Sequence, residues 1–197
     1  MRFKTPSKTV IPLLILGVIL LLVVGSSCRS YPPIQTVDAV DLDRFAGKWY
    51  VVAHIPAAME ESAYDATETY ERTGDLGMDA IFRFRDGGFE QEIEEHRFPG
   101  FVEDDGSNAV WGVQVFWPFR AEHRVVHLDR NYTETVIGRT KRDYVWVMTR
   151  SPEITDETYQ RLIQIVQERG YSLEKLRRVP HQVSATVPDS TATISQP

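Results

Sequence analysis

The chain has 197 residues and a formal net charge of −6, with 42% hydrophobic and 25% charged residues. This composition is typical of one globular domain with short appendages, and it excludes an intrinsically disordered chain. The negative charge also argues against a nucleic-acid partner, because the phosphate backbone would repel it. Cys28 is the single cysteine, so no disulfide can form within the chain.

The N-terminus is predicted to be a lipoprotein signal peptide over residues 1–27. A basic segment precedes an apolar run over residues 10–24, which is shorter than the roughly 20 residues needed to span a bilayer. Small residues follow at once and end at Cys28, and this order resembles a bacterial lipobox. The resemblance implies cleavage before Cys28 and acylation of its thiol. The alternatives are an ordinary signal peptide, or an uncleaved anchor, with an incidental cysteine.

Cleavage at this place would change the charge of the protein. It removes Arg2, Lys4 and Lys8 and takes the formal net charge from −6 to −9. Anionic headgroups repel such a body, so attachment would depend on acyl chains, and lasting attachment takes more than one. Arg29 follows the cysteine, where the bacterial sorting rule would place Asp to retain a lipoprotein in the inner membrane. By that resemblance the protein is expected on the periplasmic face of the outer membrane.

The mature chain divides into three predicted parts. Residues 28–41 are a lipidated, proline-containing tether, and residues 42–182 are the folded domain. Residues 183–197 are rich in Ser, Thr and Pro and show no apolar periodicity, which predicts a disordered tail.

The folded domain is dominated by alternation with period two, interrupted by turn signals. Short, evenly spaced strands of this kind favour an all-β antiparallel barrel or sandwich over βαβ units. The eight predicted strands are residues 49–55, 64–70, 78–85, 89–98, 109–116, 123–129, 133–140 and 144–150.

One helix is predicted after the eighth strand. Thr155 suits its N-cap, and Gly170 supplies a C-terminal stop. A short final strand is expected at residues 176–179. The apolar residues of the helix recur with the spacing of a face that packs on a core, and they are Tyr159, Leu162, Ile163 and Val166.

Three motifs, in order along the chain, resemble those of the lipocalin family, in particular its bacterial lipoprotein members and apolipoprotein D. Gly47 and Trp49 match the G-x-W motif that opens the first strand. Asp129 and Tyr132 resemble the second motif, in a loop between two later strands. Arg150 matches the Arg that ends the eighth strand. The resemblance implies an eight-stranded up-and-down antiparallel β-barrel, the lipocalin calyx, with one C-terminal α-helix packed on it.

The resemblance also divides the barrel into a structural end and a binding end. Trp49 and Arg150 would stack through a cation–π contact at the closed end and would not touch ligand. The interior of an eight-stranded barrel is wide enough for one small ligand. An apolar cup suits a fatty acid or a lysophospholipid, which the protein would bind, store or transport in the cell envelope.

Eight residues are predicted to line the cup. Alternation along the first strand places Ala53 and Ile55 on the inner face, and the resemblance to apolipoprotein D implies Tyr70 and Trp146. Phe82 stands where relatives commonly carry Asn, so the pocket is expected to be smaller or drier, unless a slip of one residue moves Phe82 outside. The alternative is that the aromatic residues simply fill the barrel. The predicted set is Ala53, Ile55, Tyr70, Phe82, Val113, Val115, Tyr144 and Trp146.

Other functions stay open as alternatives. The chain lacks a G-x-S-x-G signature, so no enzyme and no cofactor are predicted, with lipocalin-like catalysis as the less favoured hypothesis. No metal site is predicted, because five candidate ligands on two strands lack a compact motif: His123, His127, Glu92, Glu94 and His96. Another hypothesis is an envelope interaction protein with a vestigial cavity. Trp117 could serve the membrane or a partner such as a second copy in a homodimer, or pack within its loop.

Overall fold

The computed structural model describes residues 31–56, 61–103 and 105–182. Cys28, the predicted signal peptide and the predicted tail lie outside these residues. Residues 31–33 belong to a separate N-terminal unit and carry no helix or strand, and the folded body begins at Ile34. Within the described ranges, no helix is long and apolar enough to cross a membrane.

The folded body contains ten strands, two α-helices and one turn of 3₁₀ helix among its described residues. In chain order they are α1 (Leu42–Phe45), β1 (Gly47–Ile55), β2 (Ala63–Arg72), β3 (Met78–Asp86), β4 (Ile93–Phe98), β5 (Gly100–Val102), β6 (Val110–Phe116), β7 (Phe119–Leu128), β8 (Glu134–Gly138), β9 (Val145–Thr149), α2 (Asp156–Glu168), the 3₁₀ helix (Leu173–Lys175) and β10 (Arg177–Arg178).

The strands form one antiparallel sheet in the order β4-β3-β2-β1-β9-β8-β7-β6-β5, which curls into a nearly closed barrel. The predicted all-β barrel with a C-terminal helix is confirmed, although the barrel has nine strands rather than eight. The extra strand is β5, which no predicted strand covered; it follows the fourth predicted strand and is separated from β4 by Pro99, which has no N–H to donate to a ladder. β4 pairs with β3, and β5 pairs with β6. β4 and β5 are therefore the two edge strands of the sheet, and Pro99 connects them.

The helical end of the chain follows the sequence pattern closely. The side chain of Thr155 accepts a hydrogen bond of 3.1 Å from the backbone N–H of Thr158 and begins α2. Gly170 has a φ of +86°, which suits a residue that ends a helix in the left-handed region. The predicted final strand is confirmed as the two-residue β10, which pairs with β1. Helix α1, which no pattern predicted, precedes the barrel.

Two apolar clusters pack on opposite faces of the sheet. The inner cluster fills the barrel and contains Trp49, Val51 and Trp146. The outer cluster lies between the barrel and α2, and it contains Val147 and Leu162. Both faces of β1, β7, β8 and β9 are therefore packed, which fixes the register of these four strands.

The predicted inward orientation of Ala53 and Ile55 is wrong. The pairing of β1 with β9 shifts between Val51 and Ala53, which is the signature of a β-bulge. A bulge inserts one residue and reverses the alternation of side chains beyond it. Ala53 and Ile55 consequently belong to the outer cluster with residues of α2.

The same bulge turns His54 toward the interior. His54 lies directly opposite Trp146 on β9, and residues directly opposite each other across an antiparallel pair share a face. Its side chain is fully buried. On the inner face of β1, the bulge therefore places the imidazole of His54 instead of the predicted side chains of Ala53 and Ile55.

Candidate functional site

Arg150 organises the closed end of the barrel. Its guanidinium carbon lies 3.8 Å from the centroid of the Trp49 ring. Gly47, which starts β1 with a φ of +91°, lies beside it, and a side chain at that position would be strained. The guanidinium also donates to five backbone carbonyls, those of Arg44, Phe45, Ala46, Lys48 and Tyr132, at 2.7–3.2 Å.

Asp129 and Tyr132 hold the loop that supports this end. The carboxylate of Asp129 accepts from the backbone N–H groups of Asn131, Thr133 and Glu134 at 2.6–3.0 Å. These bonds lower the pKa of Asp129 although burial opposes them. The Tyr132 hydroxyl accepts from the backbone N–H of Asp41 at 2.8 Å. The five motif residues therefore act on the framework at the closed end.

An aromatic layer lies just above the closed end. Phe45 contacts Tyr70 and Trp111 with ring centroids 5.1 and 5.3 Å apart. The Tyr70 hydroxyl is joined to His123 Nε2 by a hydrogen bond of 3.0 Å. Burial raises the pKa of Tyr70 well above its ordinary value, and the nearby carboxylate of Glu68 raises it further. Tyr70 is packed within this layer and is not among the residues that line the cavity, which corrects its predicted role.

A cavity of about 140 Å³ lies above this layer, inside the barrel. Five of the eight predicted residues line it: Phe82, Val113, Val115, Tyr144 and Trp146. Sequence reasoning missed the other lining residues, which are Glu68, Ala80, Phe98, Ala121, Glu122, His123 and Arg139. The cavity therefore combines an apolar wall with several polar side chains.

The apolar wall is built from stacked aromatic rings. The Phe82 ring is stacked on Trp146 at 5.0 Å between centroids, and Tyr144 lies 5.4 Å from Trp146. Phe82 faces the interior, since the register of β2 and β3 places it opposite Glu68. The Phe82 ring therefore lies inside the barrel and takes up space there. This is the placement on which the prediction of a smaller pocket depends.

Glu68 and His123 are the buried polar side chains among the residues that line the cavity. Glu68 is only 1% exposed although it lines the cavity. Burial lowers the pKa of His123 to about 3, so its imidazole is neutral at physiological pH. A simple signal could have found Glu68: it lies two residues before Tyr70 on β2, so the alternation that places Tyr70 inside places Glu68 there too.

Two further charges lie at the mouth of the cavity, and each has its own partner. Arg139 donates to both carboxylate oxygens of Asp143, at 2.6 and 2.9 Å. Glu122 accepts from the backbone N–H and the hydroxyl of Thr140, at 2.6 and 2.9 Å, and forms an ion pair with Arg124. These contacts lower the pKa of Glu122 against the effect of burial.

The hairpin between β6 and β7 exposes a group of apolar side chains beside the cavity. Trp117 at its tip is 84% exposed, and Phe116 and Phe119 are also mostly exposed. Val115 lines the cavity and is half-exposed, so it connects the interior with this surface. Of the three readings of Trp117, the packed loop does not fit its exposure.

The histidines considered as metal ligands are separated by a second bulge. β7 shifts its register against β8 between Val125 and His127, so His123 lies in the barrel while His127 lies opposite Val136, a residue of the outer cluster. Their spacing of four residues along a strand would place His123 and His127 on the same face, but the bulge puts them on opposite faces. Within the described residues, no group of three or more His, Cys, Asp or Glu side chains could hold a metal ion.

A wider depression of about 650 Å³ lies on the outside of the barrel and is open to solvent. Most of its lining residues are polar, and they include the charged side chains of Lys48, Asp65, Arg83 and Arg85. An open, polar depression does not enclose an apolar ligand, so the smaller interior cavity is the better candidate site despite its size.

Comparison with known proteins supports the family that the sequence motifs indicate. The family model described as Lipocalin-like domain matches residues 40–181. The chain is 30% identical over 159 residues to the Outer membrane lipoprotein Blc of Citrobacter freundii, covering 79% of this chain and 88% of that protein. It is 27% identical over 154 residues to apolipoprotein D of Bos taurus, covering 74% and 78%.

Solved structures with low sequence identity share the fold. Insecticyanin from the tobacco hornworm Manduca sexta superposes with a TM-score of 0.61 at 13% identity, covering 79% of this chain and 87% of that one. Lobster apocrustacyanin A1 superposes with a TM-score of 0.55 at 9% identity, covering 76% and 91%. The family match over most of the chain, together with the barrel and its closed end, shows that this protein belongs to the lipocalin family.

Proposed function

We propose that this lipocalin holds one apolar small molecule in its barrel and works in the cell envelope, tethered to the outer membrane through acylated Cys28 and facing the periplasm. Lipocalins bind small hydrophobic molecules. The aromatic-walled cavity inside the barrel carries the proposal. Similarity to proteins named Outer membrane lipoprotein Blc supports the envelope location.

The size of the cavity limits what can be enclosed. A cavity of about 150 Å³ lined by apolar side chains is large enough to bind benzene, and the cavity here measures about 140 Å³. One ring or a short stretch of acyl chain therefore fits inside. A fatty acid or a lysophospholipid, the ligands that the family resemblance implies, would extend through the mouth past the half-exposed Val115.

Tryptophan fluorescence tests binding, because Trp146 lines the cavity. The exposed Trp117 would add a background signal, so the measurement uses the Trp117→Phe variant. We expect a shift or quenching of emission as fatty acid or lysophospholipid is added, and native mass spectrometry should identify the occupant. An unchanged spectrum with every ligand, and an empty protein in the mass spectrum, would refute the binding function.

Cell fractionation tests the anchor. Cys28→Ser should move the protein from the membrane to the soluble fraction, since anchoring that lasts takes acyl chains. The exposed hairpin could also contact a membrane, so Trp117→Ser serves as the control and should stay in the membrane fraction. A Cys28→Ser protein that remains on the membrane would overturn the lipoprotein assignment.

The hairpin between β6 and β7 favours a second candidate function, that of an envelope interaction protein. Three largely exposed aromatic residues on one tip form a surface suited to a partner, including a second copy of this chain. Sedimentation at rising protein concentration would reveal a homodimer, and Trp117→Ser should weaken it. A monomer at all concentrations would exclude self-association.

A further inference from the structure

We propose that the hairpin between β6 and β7 docks on the lipid bilayer, where Phe116, Trp117 and Phe119 enter the boundary between headgroups and acyl chains. This docking rests on the proposed lipid anchor at Cys28, and it determines which surface of the anchored protein faces the membrane. Three features of the molecule support it: the composition of the hairpin, its position at the open end of the barrel, and the short chain between Cys28 and the folded body.

The hairpin carries a contiguous apolar surface. Phe116 and Phe119 lie opposite each other across its two strands, and their ring centroids are 5.2 Å apart. Trp117 lies between them in the chain and is 84% exposed. Of the eight large apolar side chains that are exposed among the described residues, four belong to residues 115–119. Exposed apolar surface concentrated at one site is typical of a region that binds a partner or a membrane.

The chemistry of the hairpin favours a lipid surface over a protein. Trp is enriched where a membrane meets water, because its ring is apolar and its indole N–H is polar. Arg120 is exposed, and its guanidinium carbon lies 3.7 Å from the centroid of the Phe101 ring. An arginine on an apolar surface keeps its stem among apolar groups and extends its charge toward polar headgroups. Residues 115–120 contain no acidic side chain, so the hairpin itself does not repel lipid phosphates.

The hairpin lies at the open end of the barrel. The loop of Asp129 belongs to the closed end, and β7, ten residues long, separates it from the hairpin by roughly 30 Å at about 3.3 Å per residue. Val115 lines the cavity and is half-exposed, so the mouth of the cavity adjoins the hairpin. A bilayer that receives the hairpin therefore also faces the mouth, where an apolar ligand would enter or leave.

The point at which the tether joins the body agrees with this orientation. The backbone N–H of Val40 donates to Ser107, in the loop that precedes β6 at the closed end. Ile34 packs beside Gly138, the last residue of β8, and the residue after Gly138 lines the mouth of the cavity. Ile34 follows Cys28 by six residues, which span at most about 20 Å when fully extended. An acylated Cys28 would therefore keep the open end within reach of the bilayer.

Zwitterionic headgroups suit this end of the protein better than anionic ones. The loop between β3 and β4 also lies at the open end, and it carries Asp86, Glu90 and Glu92. These carboxylates, and the net charge of −9 that cleavage before Cys28 would leave, repel an anionic surface. Docking therefore depends on the burial of apolar rings, and phosphatidylcholine is the appropriate probe.

Quenching of Trp117 by lipid tests the docking on the acylated full-length protein. The other tryptophans, Trp49, Trp111 and Trp146, are buried, so the difference between the wild type and Trp117→Phe isolates the emission of Trp117. The protein is reconstituted in phosphatidylcholine vesicles whose acyl chains carry bromine next to the headgroup. We expect bromine to lower the emission of Trp117 by about twofold or more, and iodide in the buffer to lose most of its quenching.

The other outcomes separate the docking from the anchor. Suppose mass spectrometry shows acyl chains on Cys28 while Trp117 stays open to iodide and unaffected by bromine. The docking would then be overturned and the anchor would stand. Protection from iodide without quenching by bromine would mean that protein, such as a second copy of this chain, covers the hairpin, and it would also overturn the docking. A protein that carries no acyl chain and does not associate with vesicles would refute both.

A reporter at the other end of the barrel controls for orientation. Leu76 lies in the turn between β2 and β3 at the closed end and is 39% exposed. In the Trp117→Phe protein, Leu76→Trp should give an emission that iodide quenches and bromine does not. Equal quenching by bromine at both ends would refute the hairpin as the docking surface.

Substitution of the two phenyl rings locates the contact, with Trp117 kept as the reporter. Phe116→Ser combined with Phe119→Ser should reduce the quenching by bromine about threefold, because the apolar surface that enters the bilayer is lost. Both side chains are mostly exposed, so the fold should stay intact. Leu76→Ser is the matched control and should leave the quenching unchanged. Undiminished quenching without the two rings, or an equal loss in Leu76→Ser, would contradict the docking.

Discussion

The closed end of the barrel and its cavity use polar side chains in opposite ways. At the closed end, Arg150 and Asp129 direct their charges at the backbone, where carbonyl and N–H groups compensate them. In the cavity, Glu68 and His123 are buried along the surface of an enclosed space. Polar groups that bind the backbone stabilise the fold, whereas polar groups that line a cavity determine which molecule it accepts.

The difference explains how one barrel combines rigidity with a binding space. The closed end ties α1, β1 and the loop after β7 to a single guanidinium, so these elements cannot separate without breaking several bonds. The cavity lies farther up, where the same strands present rings and a carboxylate. Substitutions at the closed end should therefore change stability, and substitutions in the cavity should change ligand preference.

The largest effect is expected at Arg150. Arg150→Met removes five hydrogen bonds to carbonyl groups and the contact with Trp49, and it should lower the free energy of unfolding by about 3 kcal/mol. Urea denaturation measures the loss. Arg161→Met is the control, because Arg161 forms an exposed pair with Glu134 and should cost less than about 1 kcal/mol. Equal losses in the two variants would contradict the central role of Arg150.

The next effect is a pH dependence that arises from His123. Its pKa is lowered to about 3 in the folded protein, so below about pH 6.5 the unfolded chain binds a proton that the folded chain does not. Acidification in this window therefore favours unfolding. Between pH 7 and pH 5 the wild type should lose about 2 kcal/mol more than His123→Gln. Urea denaturation of both proteins at the two pH values measures this, and parallel curves would refute it.

A smaller effect is expected at Asp129. Asp129→Asn replaces an acceptor of three backbone N–H groups by an amide, and partial exposure limits the cost to about 1 kcal/mol at pH 7. Because the folded pKa of Asp129 is lowered, its contribution is present above the ordinary value and is lost as the pH falls through the folded value. Thermal unfolding should show the two proteins converging in acid. A constant difference down to pH 2 would contradict this cause.

The smallest effect on stability is expected at the hairpin. Trp117→Ser removes a side chain that is 84% exposed, and the free energy of unfolding should change by less than about 0.5 kcal/mol. Iodide quenching of tryptophan emission should nevertheless drop sharply, because Trp49, Trp111 and Trp146 are buried. A large loss of stability would mean that the hairpin tip packs against the body of the protein.

Much of this arrangement could be predicted from local patterns. Alternation indicated the strands, Thr155 and Gly170 indicated the ends of α2, and the order of Trp49, Asp129 and Arg150 indicated the family. These features depend on residues that are neighbours along the chain or on motifs with fixed partners. Five cavity residues, including Phe82 and Trp146, followed from the same alternation and from the family resemblance.

The errors have equally specific causes. Ala53 and Ile55 were placed on the wrong face because a bulge on β1 is created by pairing with β9, which is far away in the sequence. Tyr70 was assigned to the cavity by the resemblance to apolipoprotein D, which does not fix how deep its side chain lies in the barrel. Glu68 was overlooked because a carboxylate on a strand is usually solvated, although its position two residues from Tyr70 already placed it inside.

The sequence by itself therefore determined the family, the antiparallel barrel and the residues of its closed end, since periodicity and ordered motifs are local properties. The tertiary structure alone decided the bulges, the break at Pro99 and the content of the cavity. These depend on which strands meet and at what register, and that outcome depends on packing between residues that are distant along the chain. The lining of the cavity belongs to this second group, because Glu68, Phe82 and Trp146 come together only when the barrel closes.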